Sequence, residues 1–293
     1  MRPDVPIGLE ISLSVGCPIA CTYCPQAALL RVYKGPRHFT LETFKKAIEG
    51  GQVPLSRNLT FMGHCEPFCC PEATAIMRWA LCERGHMGSV STTLQHCSYE
   101  DIDSLASMRD RLTDTIIHCP ADDERMPGLR VDDAYVEKFK YAIRVLRDNP
   151  DFVLQVYDTN PHPAIHKIWA DSGIHIPRFG LHDRAGLLPN LRSPYVKHGP
   201  QTNGKVPLCG KMFCGCLWPS GDLGRCCNDF GQASIWGNLF QTTYYDCYHS
   251  QKFRDYIKSL EDPNSTPPCR FCHDSFHQLN VEDRNKGYDL VGH

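Results

Sequence analysis

An α/β fold of parallel strands joined by crossover helices, either an incomplete barrel or a doubly wound sheet, is predicted for this 293-residue chain by three observations. Six β-branched or apolar runs of strand length recur through residues 1–190. Helical periodicity fills the intervals between them, which is the βαβ signature of right-handed crossovers. Beyond Pro189 the texture changes to Pro, Gly, Asn and Lys with weak periodicity, which predicts a domain boundary and a second, smaller unit over residues 191–293.

The elements follow in order. Ile7 to Val15 is a partly alternating, β-branched run that ends in Gly16. Thr40 precedes a helix from Leu41 to Ile48, with Gly50-Gly51 as its stop. Strands are then predicted around Asn58–Met62, Ser89–Thr93, Asp114–Cys119, Phe152–Tyr157 and Ile174–Leu181. Helices are predicted over Pro71–Arg84, Ser98–Ser107, Asp132–Arg147 and Pro161–Asp171. Both candidate folds place function at the carboxyl ends of the strands.

Composition narrows the class. With 42% apolar residues the chain can bury a sizeable core. Seventeen cysteines could signal a secreted disulfide scaffold, but Met1-Arg2-Pro3-Asp4-Val5-Pro6 has no apolar signal core, so a reducing cytoplasm is expected. No run approaches the ~18 apolar residues needed to span a bilayer, so no membrane role is expected. A net charge of −2 argues against a broad grip on nucleic acid, leaving only a local basic patch around Arg192, Lys197, His198, Lys205 and Lys211.

Directly after the first strand stand Cys17, Cys21 and Cys24, in Gly16-Cys17-Pro18-Ile19-Ala20-Cys21-Thr22-Tyr23-Cys24-Pro25. Three thiols this close read as a loop for a 4Fe-4S cluster, and three ligands leave one iron without protein, open to substrate or cofactor. A structural zinc site would close its fourth position, and no further Cys or His follows within the next dozen residues.

This C-x3-C-x2-C spacing, with an aromatic before the third Cys, resembles the signature of the radical S-adenosylmethionine (SAM) enzymes. The resemblance implies a partial (β/α)6 TIM-like barrel whose open iron chelates SAM. Reductive cleavage then yields a 5'-deoxyadenosyl radical that abstracts substrate hydrogen, with the electron coming from a reducing partner such as flavodoxin or ferredoxin. Phe61-Met62-Gly63-His64-Cys65-Glu66-Pro67 resembles the family's glycine-rich segment, with Cys65 where relatives carry Gly. Gly63 would admit the cofactor and Glu66 would accept from its amino group, unless Glu66 only serves the start of the next helix. By the same resemblance Ser91, Thr92 and Thr93 approach the ribose or carboxylate of SAM, and Tyr23 packs beside its adenine. His118, closing the fourth strand, and Arg184, after the sixth, are the candidate catalytic or substrate residues, with pairing to Asp183 the alternative for Arg184. The family's glycine-bearing motif on the fifth strand is not visible in Phe152–Tyr157.

Cys209 and Cys226 flank a hairpin turn at Ser220-Gly221-Asp222, which is predicted to follow a strand over Phe213–Trp218. Cys269-Arg270-Phe271-Cys272 follows much later, and the four thiols suit either an iron-sulfur cluster or zinc. Beside a radical SAM core they resemble the small auxiliary-cluster domain called twitch, a shortened relative of SPASM, which implies a second 4Fe-4S cluster. Cys214, Cys216, Cys227 and Cys247 compete for ligand roles, whereas Cys69, Cys70, Cys82 and Cys97 read as small buried hydrophobes.

The function expected is radical SAM oxidation or rearrangement of an unactivated carbon, by dehydrogenation or epimerisation of a sugar or small polar metabolite. The alternatives are radical modification of a peptide or of a nucleotide base and, from another class, a non-catalytic metal-binding interaction protein.

Overall fold

The computed structural model describes residues 8–149, 151–157, 159–174, 178–179, 181, 184–188 and 209–272. Each of the six predicted strand runs contains a strand: β1 (Gly8–Ile11), β2 (Asn58–Phe61), β3 (Gly88–Thr92), β4 (Leu112–His118), β5 (Phe152–Tyr157) and β6 (Arg178–Phe179). The first is shorter than expected. Its continuation leaves the ladder because Val15 donates to the Arg37 carbonyl and Phe39 donates to the Leu13 carbonyl, so those backbone groups are satisfied elsewhere.

Between the strands run α1 (Gln26–Val32), α2 (Leu41–Lys45, continued by a π-helical turn to Gly50), α3 (Ala73–Arg78, continued likewise to Glu83), α4 (Tyr99–Ser107), α5 (Asp133–Leu146) and α6 (Pro163–Ser172). Capping residues set their starts. Thr40 and Ser98 each form a reciprocal capping box, and the Asp132 side chain accepts from the Tyr135 amide. Helix α1 was not anticipated, since only seven residues separate the cysteine loop from Tyr33 and the run carries no side-chain cap.

Helices α7 (Tyr244–Tyr248) and α8 (Gln251–Glu261) follow three further strands, β7 (Cys216–Leu217), β8 (Asp222–Gly224) and β9 (Ile235–Asn238). The predicted strand over Phe213–Trp218 is corrected here: Gly210–Phe213 is a 3-10 turn, and Gly215, at φ +55°, breaks the extended run so that only Cys216–Leu217 pairs. The turn at Ser220-Gly221-Asp222 forms as expected, with Gly221 at φ +81°.

All nine strands lie in one sheet ordered β6-β5-β4-β3-β2-β1-β7-β8-β9. The first six are parallel, a partial (β/α)6 barrel. Strand β7 adds parallel to β1, with Glu10 opposite Cys216, and β8 and β9 continue antiparallel, so the cysteine-bearing hairpin extends the barrel sheet. The boundary expected at residue 190, together with Arg192, Lys197, His198 and Lys205, lies outside the described residues.

Register decides what each face carries, because side chains alternate along a strand. Leu9, Ile11, Leu59, Phe61, Val90, Ile117, Leu154 and Val156 share the face turned to the helices and join one core with Phe44, Met77, Leu105 and Phe139. Fully burying each such side chain contributes about 1.5–3 kcal/mol. The opposite, concave face is mixed: the pairing Glu10–Thr60–Ser89–Asp114 forms one polar layer, Ser91, Ile116 and Val153 form the next, and His118 pairs with Gln155 beyond them. Among the described residues no helix is long and apolar enough to cross a membrane.

Candidate active site with two cysteine centres

The cysteine loop turns away from β1 at Gly16, where φ is +97°. The segment after β4 clamps it: Thr22 donates to the Arg125 carbonyl and Gly128 to the Ile19 carbonyl, each at 2.9 Å. Cys17, Cys21 and Cys24 are all half-buried, and Cys17 and Cys21 lie against an apolar cluster of Ile19, Tyr23, Ala121 and Met126. Burial pushes the Cys21 thiol up to about 12, and the proximity of Cys24 and Cys17 adds to the rise. Burial also raises Cys24, whose sulfur accepts from Gln26 Nε2 at 3.5 Å. Cys17 moves the other way, held well below the usual thiol range by hydrogen bonds from Cys65 and Cys69.

Among the described residues no three His, Cys, Asp or Glu side chains converge on one point closely enough for a single metal ion. The chemistry of the donor set, three thiols on one loop, fits a cluster whose thiolates would bind separate irons. Cys69 and Cys82 differ from expectation. Cys69 is half-buried against Cys17, and Cys82 is exposed on the π-helical turn after α3, whereas Cys70 and Cys97 are buried as predicted.

Glu66 is 6% exposed and firmly held. Thr92 Oγ1 donates to one carboxylate oxygen at 2.6 Å, and Thr93 donates to the other through both its amide and its hydroxyl at 2.8 Å. Burial nonetheless raises its pKa, and the Thr92 and Thr93 donors offset this in part. Glu66 is also the N-cap residue of the 3-10 turn Pro67–Cys69, although its side chain makes no capping hydrogen bond there. The hydroxyls of Thr92 and Thr93 are spent on Glu66, while Ser91 falls on the concave face. Gly63, in the same segment, packs closely against Ser12. Its φ is +33°, and a Cβ there would lie 2.7 Å from the Ser12 nitrogen.

His118, Tyr23 and Tyr157 form a ring triad. Tyr23 Oη and His118 Nε2 are 3.2 Å apart, and the Tyr157 ring meets His118 edge-on at 4.8 Å. Burial pulls His118 down to about 4, and the charge of Arg184 adds to this. Arg184 Nη1 donates to Asn228 Oδ1 at 3.1 Å, which carries the guanidinium toward the second cysteine group, and its charge reaches Cys24 on the first. Asp183 lies outside the described residues.

Of the second set of cysteines, Cys209, Cys226, Cys269 and Cys272 are all buried. Cys209 and Cys269 pack with Met212 and Leu260. Cys226 lies within electrostatic reach of Cys269, and Asn228 Nδ2 points at Cys272 Sγ at 3.8 Å. Of the competitors, Cys216 and Cys227 also lie within electrostatic reach of Cys226. Cys227 and Cys214 lie near Glu10 and Lys211, Cys216 lies 3.7 Å from Ser12 Oγ, and Cys247 packs against Gly237. Sequence reasoning passed over Arg225, Glu10, His64 and Trp218. The visible signal for Arg225 was a charged residue immediately before Cys226, and His64 stands within the motif that carries Glu66.

No family model matches the sequence, and no curated protein matches it. Solved structures do. BtrN in complex with AdoMet and 2-DOIA is 15% identical, with 92% of this chain and 93% of that chain covered at a TM-score of 0.57. SuiB of Streptococcus suis bound to precursor peptide SuiA is 13% identical, covers 92% of this chain and 71% of that one, and scores 0.61. The anSMEcpe enzyme with bound AdoMet is 14% identical over 87% of this chain and 84% of that chain, at 0.54. The chain thus has the fold of the radical SAM enzymes, a partial α/β barrel with its cysteine loop after the first strand.

Proposed function

We propose that this protein is a radical SAM enzyme that oxidises or rearranges an unactivated carbon of a small polar substrate, with dehydrogenation or epimerisation of a sugar-like metabolite as the leading reaction. The observation that carries the reading is the arrangement at the barrel mouth: three half-buried thiols on one loop, opposite a buried Glu66 fixed by three donors, on a fold shared with AdoMet-bound proteins. A 4Fe-4S cluster on Cys17, Cys21 and Cys24 supplies, when bound, the open iron and the electron for cleaving SAM.

The chain's own residues take the remaining roles. Glu66, pre-oriented by Thr92 and Thr93, accepts from the SAM ammonium. Gly63 keeps the backbone close, and Tyr23 offers an aromatic wall. The polar side chains on the concave face, Glu10, Thr60, Ser89, Asp114 and Ser91, support a substrate rich in hydroxyl or amino groups, and His118 and Arg184 are its candidate contacts. Cys209, Cys226, Cys269 and Cys272 would close an auxiliary 4Fe-4S centre, able to take an electron from a substrate radical but with no iron left for substrate. Flavodoxin or ferredoxin is the class of reductant such a site requires.

The test is deuterium transfer. Anaerobic turnover with C-deuterated aminocyclitols and sugars is expected to place deuterium in 5'-deoxyadenosine. Transfer from a deuterated peptide but from no small polyol would replace the metabolite reading with peptide modification.

A further inference from the structure

We infer that Arg225, acting with Tyr256, raises the reduction potential of the centre held by Cys209, Cys226, Cys269 and Cys272 and so fits it to accept an electron. The inference rests on the proposal that these four cysteines hold an iron-sulfur cluster.

Arg225 follows β8 and is only 1% exposed. A buried guanidinium is costly unless it is paired and hydrogen-bonded throughout. Its Nη1 donates to Cys269 Sγ at 2.9 Å and to Tyr256 Oη at 2.7 Å, and Tyr256 Oη lies 3.2 Å from the same sulfur. One carboxylate, Asp229, stands 3.7 Å from Nη2. That carboxylate already accepts from the Ala233 and Ser234 amides at 3.0 Å. Arg225 Nε and Nη2 are buried without a hydrogen-bond partner.

Two buried N–H groups of this guanidinium thus lack a hydrogen-bond partner, in a cation that touches Cys269 and lies within electrostatic reach of Cys226. Trp236, 3% exposed, packs its ring 5.2 Å from that of Tyr256 and helps keep water from this corner. Thiolates and sulfides of a cluster supply both negative charge and sulfur acceptors. Donors and a fixed cation at these sulfurs stabilise the reduced form, which carries one more negative charge, and therefore raise the potential. Arg225 touches no substrate in this account; it is a positioning residue for charge.

The test uses full-length protein carrying Cys17→Ala, Cys21→Ala and Cys24→Ala, so that any remaining cluster signal belongs to the second centre. Iron and zinc are measured first, then the midpoint potential by EPR-monitored redox titration. Arg225→Gln is expected to keep the fold by circular dichroism and to shift the midpoint to more negative potential. Tyr256→Phe should give a smaller shift of the same sign, and Arg225→Lys should fall between parent and Arg225→Gln. If Arg225→Gln holds no iron, the other two variants decide by the same criterion. Iron-loaded variants that keep the parent midpoint overturn the inference alone. Zinc, or no iron, in the parent overturns the auxiliary-cluster reading and the inference with it.

Discussion

Trp218 donates its indole N–H to His64 Nδ1 at 3.0 Å, with the two rings stacked 5.4 Å apart. Because Nδ1 accepts, the ring proton resides on Nε2, which donates to the Cys227 carbonyl at 2.9 Å. His64 therefore joins the segment that carries Glu66 to the hairpin and to the loop that carries Cys226. Removing His64 leaves the buried Trp218 indole N–H without this acceptor, at a cost of about 1–3 kcal/mol, whereas removing Trp218 costs less because Ser12 Oγ and Cys216 Sγ lie 3.5 and 3.6 Å from Nδ1. Trp218→Phe and His64→Phe are each expected to lower the urea midpoint, and their double variant to lose less than the sum. Strict additivity would show that the two rings do not act together.

The same contact predicts a pH dependence. Burial lowers His64 from 6.5 to about 3, so the folded form binds its proton later than the unfolded chain. Its contribution to stability is whole above pH 6.5 and is lost progressively as pH falls toward 3. His64→Phe should flatten the stability profile across that window, and an unchanged slope would contradict the neutral assignment.

Glu66→Gln preserves shape but removes the carboxylate charge. Charge-assisted hydrogen bonds contribute about 1.5–3 kcal/mol, so SAM affinity should fall on the order of 10- to 100-fold in anaerobic equilibrium binding. Thr92→Val with Thr93→Val should weaken binding less, by loosening Glu66. Wild-type affinity in Glu66→Gln would place the ammonium elsewhere.

Gly63→Ala forces a side chain onto a backbone at φ +33° and into the Ser12 backbone. Strain of this kind costs about 1–3 kcal/mol, and the thermal midpoint should drop accordingly. A neutral result would mean that the segment moves aside freely.

Phe44 is fully buried and meets Phe39 and Trp79 edge-on at 5.4 and 6.0 Å. Phe44→Ala should cost about 3–5 kcal/mol in chemical denaturation while leaving SAM binding by the folded fraction unchanged.

The barrel was legible because its signals are local. β-branched runs, Thr40 and Ser98 as caps, and the spacing of Cys17, Cys21 and Cys24 all lie within short windows of sequence. What escaped depends on distant pairing. That β7 adds to β1 requires Glu10 to meet Cys216, a contact no local pattern announces. The strand expected from Phe213 failed because Gly215 takes a positive φ that only the packed structure reveals. Cys69 read as a buried hydrophobe because its neighbour Cys17 is far away in sequence. Arg225 was hidden for the same reason: its partners Tyr256 and Cys269 come from elements that fold onto the hairpin from much later in the chain.

The most direct test of the whole account is SAM cleavage by the anaerobically reconstituted, chemically reduced protein. The account predicts 5'-deoxyadenosine from the intact chain and none from Cys17→Ala with Cys21→Ala and Cys24→Ala, while that variant still retains iron at its remaining cysteines. Equal cleavage by both proteins, or none by either despite full iron loading, would contradict it.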